Sequence, residues 1–324
     1  MKNFVTSKTP LRIGLLGGGS DLESYFEKNN FGSTISASIN KYIYITVHKR
    51  YDDLIRASYS KTEIVDNVKD IKHELIRESL KYLNIKKGIE VVSISDVTGH
   101  GTGLGSSSSY TVGLINAISA LTTKKRSRFN LANDACKIEI DLCGHPIGKQ
   151  DQFAASFGGL NEIIYKKENI NVIPLNISSK NLNKLSENLL LFDTGIKRKS
   201  SKILSKQTNL YKESKKFEAT KKMVDMVPDM KKALLNDIDL VGEILDESWK
   251  IKKSLVGGIA NKAINSYYSK AIKNGAIGGK LCGAGGGGFL LLYCKKENHN
   301  KLRKSLSSLK ELNFEFDYEG ASLL

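Results

Sequence analysis

The chain has 324 residues, 40% of them hydrophobic and 26% charged; this excludes a disordered chain and, at ~150 residues per domain, suggests about two domains. Its longest unbroken apolar run, Phe289–Cys294, falls far short of the ~20 residues a spanning helix needs, so no transmembrane segment is expected. Lys and Arg number 50 against 34 Asp and Glu, a formal charge of +16 that favours anionic partners such as phosphorylated small molecules, nucleic acid or an anionic membrane.

Half of the surplus lies in residues 197–232, with twelve Lys/Arg and four Asp/Glu. That segment lacks the interleaved aromatics of a single-strand binder and reads as a solvated helical face, so neither a nucleic-acid nor a membrane partner is expected. The opening MKNFVTSKTPLRIGLL puts Arg12 where an export signal needs its apolar stretch. Cys136, Cys143, Cys282 and Cys294 form no CxxC pair and read as reduced thiols, consistent with a cytoplasmic location.

In chain order, Ile13–Leu16, Ser33–Ile39, Tyr42–Lys49 and Leu54–Ser60 predict strands, Ile71–Leu83 a helix and Ile89–Ser95 another strand. A polar loop, Asp96–Gly105, leads into a helix with Tyr110, Leu114, Ile118 and Leu121 on one face. A second helix carries Leu131, Ala135, Ile138 and Leu142 and stops at Gly144-His145-Pro146. Asn161–Tyr165 and Val172–Pro174 predict closing strands, and polar Ser178–Asn188 a boundary, giving domains 1–185 and 186–324. Leu189–Asp193 opens the second domain. Helices follow over 199–274, then a strand at Phe289–Cys294, a helix near Asn300–Leu312 and a strand near Phe314–Tyr318. This order predicts α+β, with helices on one side of a small antiparallel sheet.

Three glycine-rich segments and two carboxylates carry the chemistry. Gly101-Thr102-Gly103-Leu104-Gly105-Ser106-Ser107-Ser108-Ser109 joins a strand to a helix. Glycines let backbone approach a ligand closely, and the first N–H groups of the helix favour an anion. Four serines exceed what a cap needs, so phosphate binding is the reading. No G-x4-G-K-[ST] occurs, and neither H-R-D nor D-F-G, so this is neither a Walker A loop nor a protein kinase. Gly283–Gly288 matches G-x-G-x-x-G but precedes a strand, the wrong context for a dinucleotide fold.

Thr9–Asp21 sets a lone Arg12 in an apolar strand before Gly17-Gly18-Gly19-Ser20-Asp21. A buried Arg needs a partner or a polar site; a strand-end Arg reaching water is the alternative. Asp21 reads equally as a turn residue. Glu139 on the second helix and Asp151 past the Pro146 break could meet near the phosphate loop. One could then hold Mg²⁺ and the other orient or deprotonate an attacking hydroxyl; two ordinary surface carboxylates are the alternative.

As a set, Pro10–Asp21, Gly101–Ser109 and Lys280–Gly288 resemble the three ordered motifs of the GHMP kinase family and span nearly the whole chain. The resemblance implies an N-terminal domain like ribosomal protein S5, a ferredoxin-like C-terminal domain, and ATP between them. Pro-Leu-Arg-Ile, Gly-Gly-Gly-Ser-Asp-Leu and Gly-Lys-Gln-Asp-Gln-Phe are similar to the anomeric sugar kinases, most of all those acting on D-glycero-D-manno-heptose 7-phosphate. L-fucose kinases share much of the pattern.

By resemblance, Asp151 is the catalytic carboxylate and Arg12 steadies the attacking oxygen. Gly101, Gly103, Leu104, Gly105, Ser106, Ser107 and Ser108 hold ATP phosphates, and Ser107 and Glu139 ligate Mg²⁺. Gly283, Ala284, Gly285, Gly286 and Gly287 form the C-terminal glycine motif. Gly18, Gly19, Ser20 and Asp21 bind the sugar, and by position and charge Lys197 and Arg198 are candidates for an acceptor phosphate. One residue more separates Glu139 from Asp151 than in mevalonate kinases, and His100 stands where many members have Pro. The implied activity is transfer of phosphate from ATP to the anomeric hydroxyl, feeding nucleotide-activated heptose for surface polysaccharide. Kinases of L-fucose, galactose, mevalonate or homoserine, a non-catalytic ATP/sugar sensor, and a nucleic-acid binder are the competing readings. The retained Asp151, Ser107 and Glu139 favour an enzyme.

Overall fold

The computed structural model describes residues 3–97, 101–122, 125–196, 214–255 and 259–324. Among these, an eight-stranded and a four-stranded sheet organise the chain. Strand β1 (Phe4–Leu16) runs antiparallel to β2 (Gly32–Lys49), with bulges at Pro10/Leu11 and Gly14/Leu16. The two strands expected over Ser33–Lys49 are therefore one. On its other edge, the first half of β2 pairs with β6 (Leu160–Tyr165) and the second half with β5 (Ile89–Ser95). β3 (Ile55–Ser58) and β4 (Thr62–Val65) extend the β5 side, and β7 (Ile170–Pro174) the β6 side.

Helix α1 (Glu23–Asn29) follows the first glycine turn, and α2 (Glu74–Tyr82) precedes β5. Helix α3 (Ser106–Leu121) runs across β1 and β2. Val112, Leu114, Ile115, Ala117 and Ile118 are all fully buried, together with the polar Ser109, Thr111 and Ser119, so it is covered on most sides, as a central helix is. It starts four residues before Tyr110, because its first turn is the serine run. Helix α4 (Arg128–Cys136) continues into a π turn, Lys137–Leu142. A π turn takes in one residue more than an α turn. Helix α5 (Gln150–Phe157) begins directly after Lys149.

The polar stretch Ser178–Asn188 forms a helix, α6 (Ser179–Asn188), capped by Ser178, which accepts from the Asn181 amide. The second sheet has the order β11-β8-β10-β9, all antiparallel. Its strands are β8 (Leu189–Asp193), β9 (Ala276–Leu281), β10 (Phe289–Cys294) and β11 (Lys310–Glu311). Between β8 and β9 lie α7 (Ser214–Asp225), α8 (Val227–Asn236), α9 (Leu240–Leu255) and α10 (Lys262–Lys273); α11 (His299–Ser305) follows β10.

The expectation of helices on one side only is corrected. Every residue of β10 is buried, and its alternate side chains join two different apolar clusters. Leu291 and Tyr293 pack with Met230 of α8 and Leu245 of α9; Leu290 and Leu292 pack with Ile264 of α10 and Leu302 of α11. A strand apolar at every position needs cover on both faces. The expected strand near Phe314–Tyr318 is also corrected: it makes one bridge, Phe316 to Ile39. The tail returns to the first sheet, where β12 (Ser322–Leu323) pairs with β1 at Ser7 and Lys8. Tyr42 Oη donates to Asp317 Oδ2 at 2.9 Å on the way.

Candidate active site

The first turn of α5 presents three consecutive side chains about 100° apart, and each ties a different element. Gln150 Nε2 donates to Ser36 Oγ of β2 at 2.5 Å, and Gln152 Nε2 donates to Glu139 Oε2 at 2.7 Å. Between them Asp151 receives a two-pronged bond from Arg12, with Nε to Oδ1 at 2.7 Å and Nη2 to Oδ2 at 2.5 Å. Arg12 Nη1 donates to the Gly103 carbonyl at 2.5 Å, and the Arg12 amide to Leu104 O at 2.9 Å. Arg12 is therefore the buried junction of β1, the glycine loop and α5. Asp151 keeps a quarter of its side chain exposed. Fork geometry of this kind fixes both distance and plane.

Asp21 lies beside this pair, 8% exposed. Its Oδ1 accepts from the Gly19 amide at 2.9 Å and its Oδ2 from the Gln150 amide at 3.2 Å. A Cβ on Gly148 would run into Oδ2, so a side chain there would displace the carboxylate. Burial pushes the Asp21 carboxyl above its ordinary range, and the nearby Asp151 charge pushes it further. The Ser20 hydroxyl is turned elsewhere: it donates to Ser33 O at 3.0 Å and accepts from the Ser33 amide. Gly18 borders the Gln150 side chain.

Ser107, in the first turn of α3, donates to Glu139 Oε1 at 2.5 Å. Glu139 is fully buried with both oxygens engaged, and burial raises its pKa against the pull of Ser107, Ser108 and Gln152. Gly105 caps α3 in the left-handed conformation and supplies no side-chain acceptor to the first-turn amides. Ser106 Oγ lies 3.0 Å from Thr102 Oγ1. Among the described residues no three His, Cys, Asp or Glu side chains converge. Mg²⁺ does not require three: a carboxylate, a hydroxyl and phosphate oxygens suit it, and Glu139 with Ser107 offers the first two.

The third glycine segment abuts the second. A Cβ on Gly103 would strike the Cys282 backbone, and one on Gly288 the Thr102 carbonyl; both glycines have φ near +80 to +91°. The Phe289 amide donates to Thr102 O at 3.1 Å. Gly285 and Gly287 press on Ile259 and Ile196, the Gly286 amide donates to Ile259 O at 2.8 Å, and the Gly283 carbonyl accepts from Lys252 Nζ at 2.5 Å. Ala284 lies within the same turn. Lys197 and Arg198 lie outside the described residues.

Sequence reasoning left Gln150, Gln152 and Lys280 without roles. Lys280 of β9 is 7% exposed and donates to the Leu15 carbonyl at 3.0 Å. The signal for it was a charge inside the otherwise apolar and glycine-rich AIGGKLCGAG. The two glutamines carried no signal apart from their neighbour Asp151.

The description "GHMP kinases N terminal domain" matches residues 62–159, and "GHMP kinases C terminal" matches 226–310. The chain is 31% identical to the D-glycero-alpha-D-manno-heptose 7-phosphate kinase of Campylobacter jejuni, over 96% of each chain. The crystal structure of a D-glycero-D-manno-heptose 1-phosphate kinase from Bacteroides thetaiotaomicron is similar at TM-score 0.80 and 25% identity, covering 99% of this chain and 98% of that one. Lactococcus lactis galactokinase complexed with galactose shares the fold at TM-score 0.75 and 18% identity, over 100% and 95% of the two chains. Among the described residues no helix is long and apolar enough to cross a membrane. With both halves matched in order and a relative alike along almost its full length, this chain belongs to the GHMP kinases and is an ATP-dependent phosphotransferase.

Proposed function

We propose that the protein transfers phosphate from ATP to the anomeric hydroxyl of a heptose 7-phosphate, giving the 1,7-bisphosphate, with Mg²⁺ as companion cation, in the cytoplasm. The Arg12–Asp151 fork at the lip of the phosphate loop carries the mechanistic part of this reading. The likeness to the Campylobacter jejuni enzyme supports the acceptor.

The glycine loop and the uncapped first turn of α3 suit the phosphates of ATP, since their N–H groups and the helix dipole attract anions. Asp151 accepts the proton of the anomeric hydroxyl as its oxygen bonds to the γ-phosphorus and the bond to the β-phosphate oxygen breaks. Arg12 holds the carboxylate plane and offsets negative charge on the attacking oxygen. Asp21, held by the Gly19 and Gln150 amides, accepts from hydroxyls of the sugar. Glu139 and Ser107 would hold Mg²⁺, which supplies charge neutralisation and orientation at the phosphates. Catalysis of this kind rests on positioning and electrostatics. Lys197 and Arg198 follow β8 and are assigned to the acceptor's own phosphate.

ADP release in the presence of Mg²⁺ tests the reading against D-glycero-D-manno-heptose 7-phosphate, unphosphorylated heptose, L-fucose, galactose and mevalonate. Strong preference for the first, with new phosphate at C1, is expected. Preference for another member, or nucleotide binding with no turnover of any, overturns the acceptor assignment.

A further inference from the structure

Lys280 is a buried cation for which the reaction as described has no use. It projects from β9 of the second sheet, and its ammonium meets the Leu15 carbonyl of β1 in the first. That carbonyl is available because of the bulge: Gly14 pairs with Ser36 and Leu16 with Ile35, leaving Leu15 out of register with β2. Leu15 is three residues from Arg12 and two from Gly17, where the first glycine turn begins. The contact therefore fastens the stretch of β1 that carries Arg12 at one end and the turn to Asp21 at the other.

An ammonium has three protons to donate. Among the described residues Lys280 has one hydrogen-bond acceptor and no ion pair. The charged and titratable groups around it are Arg12 from β1 and Cys282 on its own segment. Asp151, the carboxylate at this junction, is taken up by Arg12. Among the described residues the Lys280 ammonium thus has no carboxylate partner. Burial is costly for a charge without a counter-charge, and the site's ligands are phosphates.

We propose that Lys280 is a positioning residue for phosphoryl transfer: it fixes the Leu15 bulge and thereby Arg12 and the glycine turn, and its unmatched charge is balanced when phosphate oxygens enter the site. Burial, with a smaller contribution from Arg12, lowers its pKa to about 8 in the free protein. Phosphate arriving nearby stabilises the protonated form, so nucleotide binding on the alkaline side takes up a proton. The inference rests on Arg12 acting at the transferred phosphate and not on the identity of the acceptor.

Calorimetric titration with the β,γ-imido analogue of ATP and Mg²⁺ at pH 8.5, in buffers of differing ionisation enthalpy, tests it without any acceptor. The native protein is expected to take up as much as about 0.8 proton per nucleotide, the deprotonated fraction at that pH. Lys280→Met is expected to lose that uptake and to bind the nucleotide at least tenfold more weakly. It should keep its melting temperature at pH 7, since it removes an unpaired buried charge. Lys280→Arg, charged at every pH, is expected to restore affinity without the uptake. No uptake by the native protein, or uptake that persists in Lys280→Met, overturns the proposal. So does a Lys280→Met protein that melts lower but binds nucleotide as the native protein does. Absence of nucleotide binding by the native protein would instead overturn the placement of phosphates at the glycine loop.

Discussion

Replacing Asp151 by Asn isolates the charge of the carboxylate from its shape. Asn retains one oxygen for Arg12 but loses the second prong of the fork and the base. An ion pair at ~4 Å with an effective dielectric of ~20 is worth about 4 kcal/mol before desolvation. Arg12 is 5% exposed and the Asp151 side chain 27%, so solvent screening and the oxygen that remains leave a net loss of about 1–2 kcal/mol. Asp21 recovers part of this, because the Asp151 charge that raises its pKa is gone. The melting temperature should fall on the order of 1–3 °C. Turnover responds on another scale. Loss of a positioned base costs roughly 10²–10⁴ in kcat, while KM for ATP should stay within about threefold because the glycine loop is untouched. ADP release at saturating substrates reads kcat, and thermal melting reads the fold. A variant that turns over within threefold of the native protein removes Asp151 from proton transfer. One that loses turnover only in proportion to its unfolding makes the fork structural.

Glu139→Gln should raise the Mg²⁺ needed for half-maximal turnover by about 10–100-fold, measured by titrating the cation. Burial holds the Glu139 pKa above its unfolded value, so the cost of its charge is absent below the ordinary carboxylate range and grows as pH rises from there toward the folded pKa. Melting in metal-free buffer should therefore show Glu139→Gln more stable than the native protein near pH 7, with the gap closing toward pH 4.5. Gly288→Ala puts a Cβ against the Thr102 carbonyl at φ +91°; left-handed strain plus overpacking should cost about 2–4 kcal/mol, read by denaturant unfolding. Arg198→Ala should raise KM for heptose 7-phosphate at least tenfold and leave KM for unphosphorylated heptose unchanged; equal changes would remove Arg198 from acceptor-phosphate binding.

Strands β5, β8 and β10 were legible to the residue, because each is a β-branched or apolar run closed by Ser, Asp or Cys and charge. β1 starts nine residues before its expected position because Ser7 and Thr9 are fully buried; their hydroxyls hide an inward-facing strand behind polar letters. β9 was not legible at all. Gly278 lies against the Gly242 carbonyl and Gly279 against Leu291, so the glycines that discourage a strand reading permit its close packing. The site's motifs were legible as local glycine and serine patterns, whereas the Arg12–Asp151 bond joins residues 139 apart. No local periodicity encodes such a pairing; it depends on α5, an eight-residue helix beginning just past a Pro-Gly break.

Strand β12 lies against β1, with Ser7 opposite Leu323. During synthesis on the ribosome the strand that holds Arg12 is made before the second sheet, and its outer neighbour after it. The N-terminal sheet must wait with one edge of β1 open through the making of the whole second sheet. Such an open edge is a site for pairing with another nascent chain. Trimming of the tail would consequently disturb the half of the enzyme that holds the glycine loop before α3, and not the half in which the last helix resides.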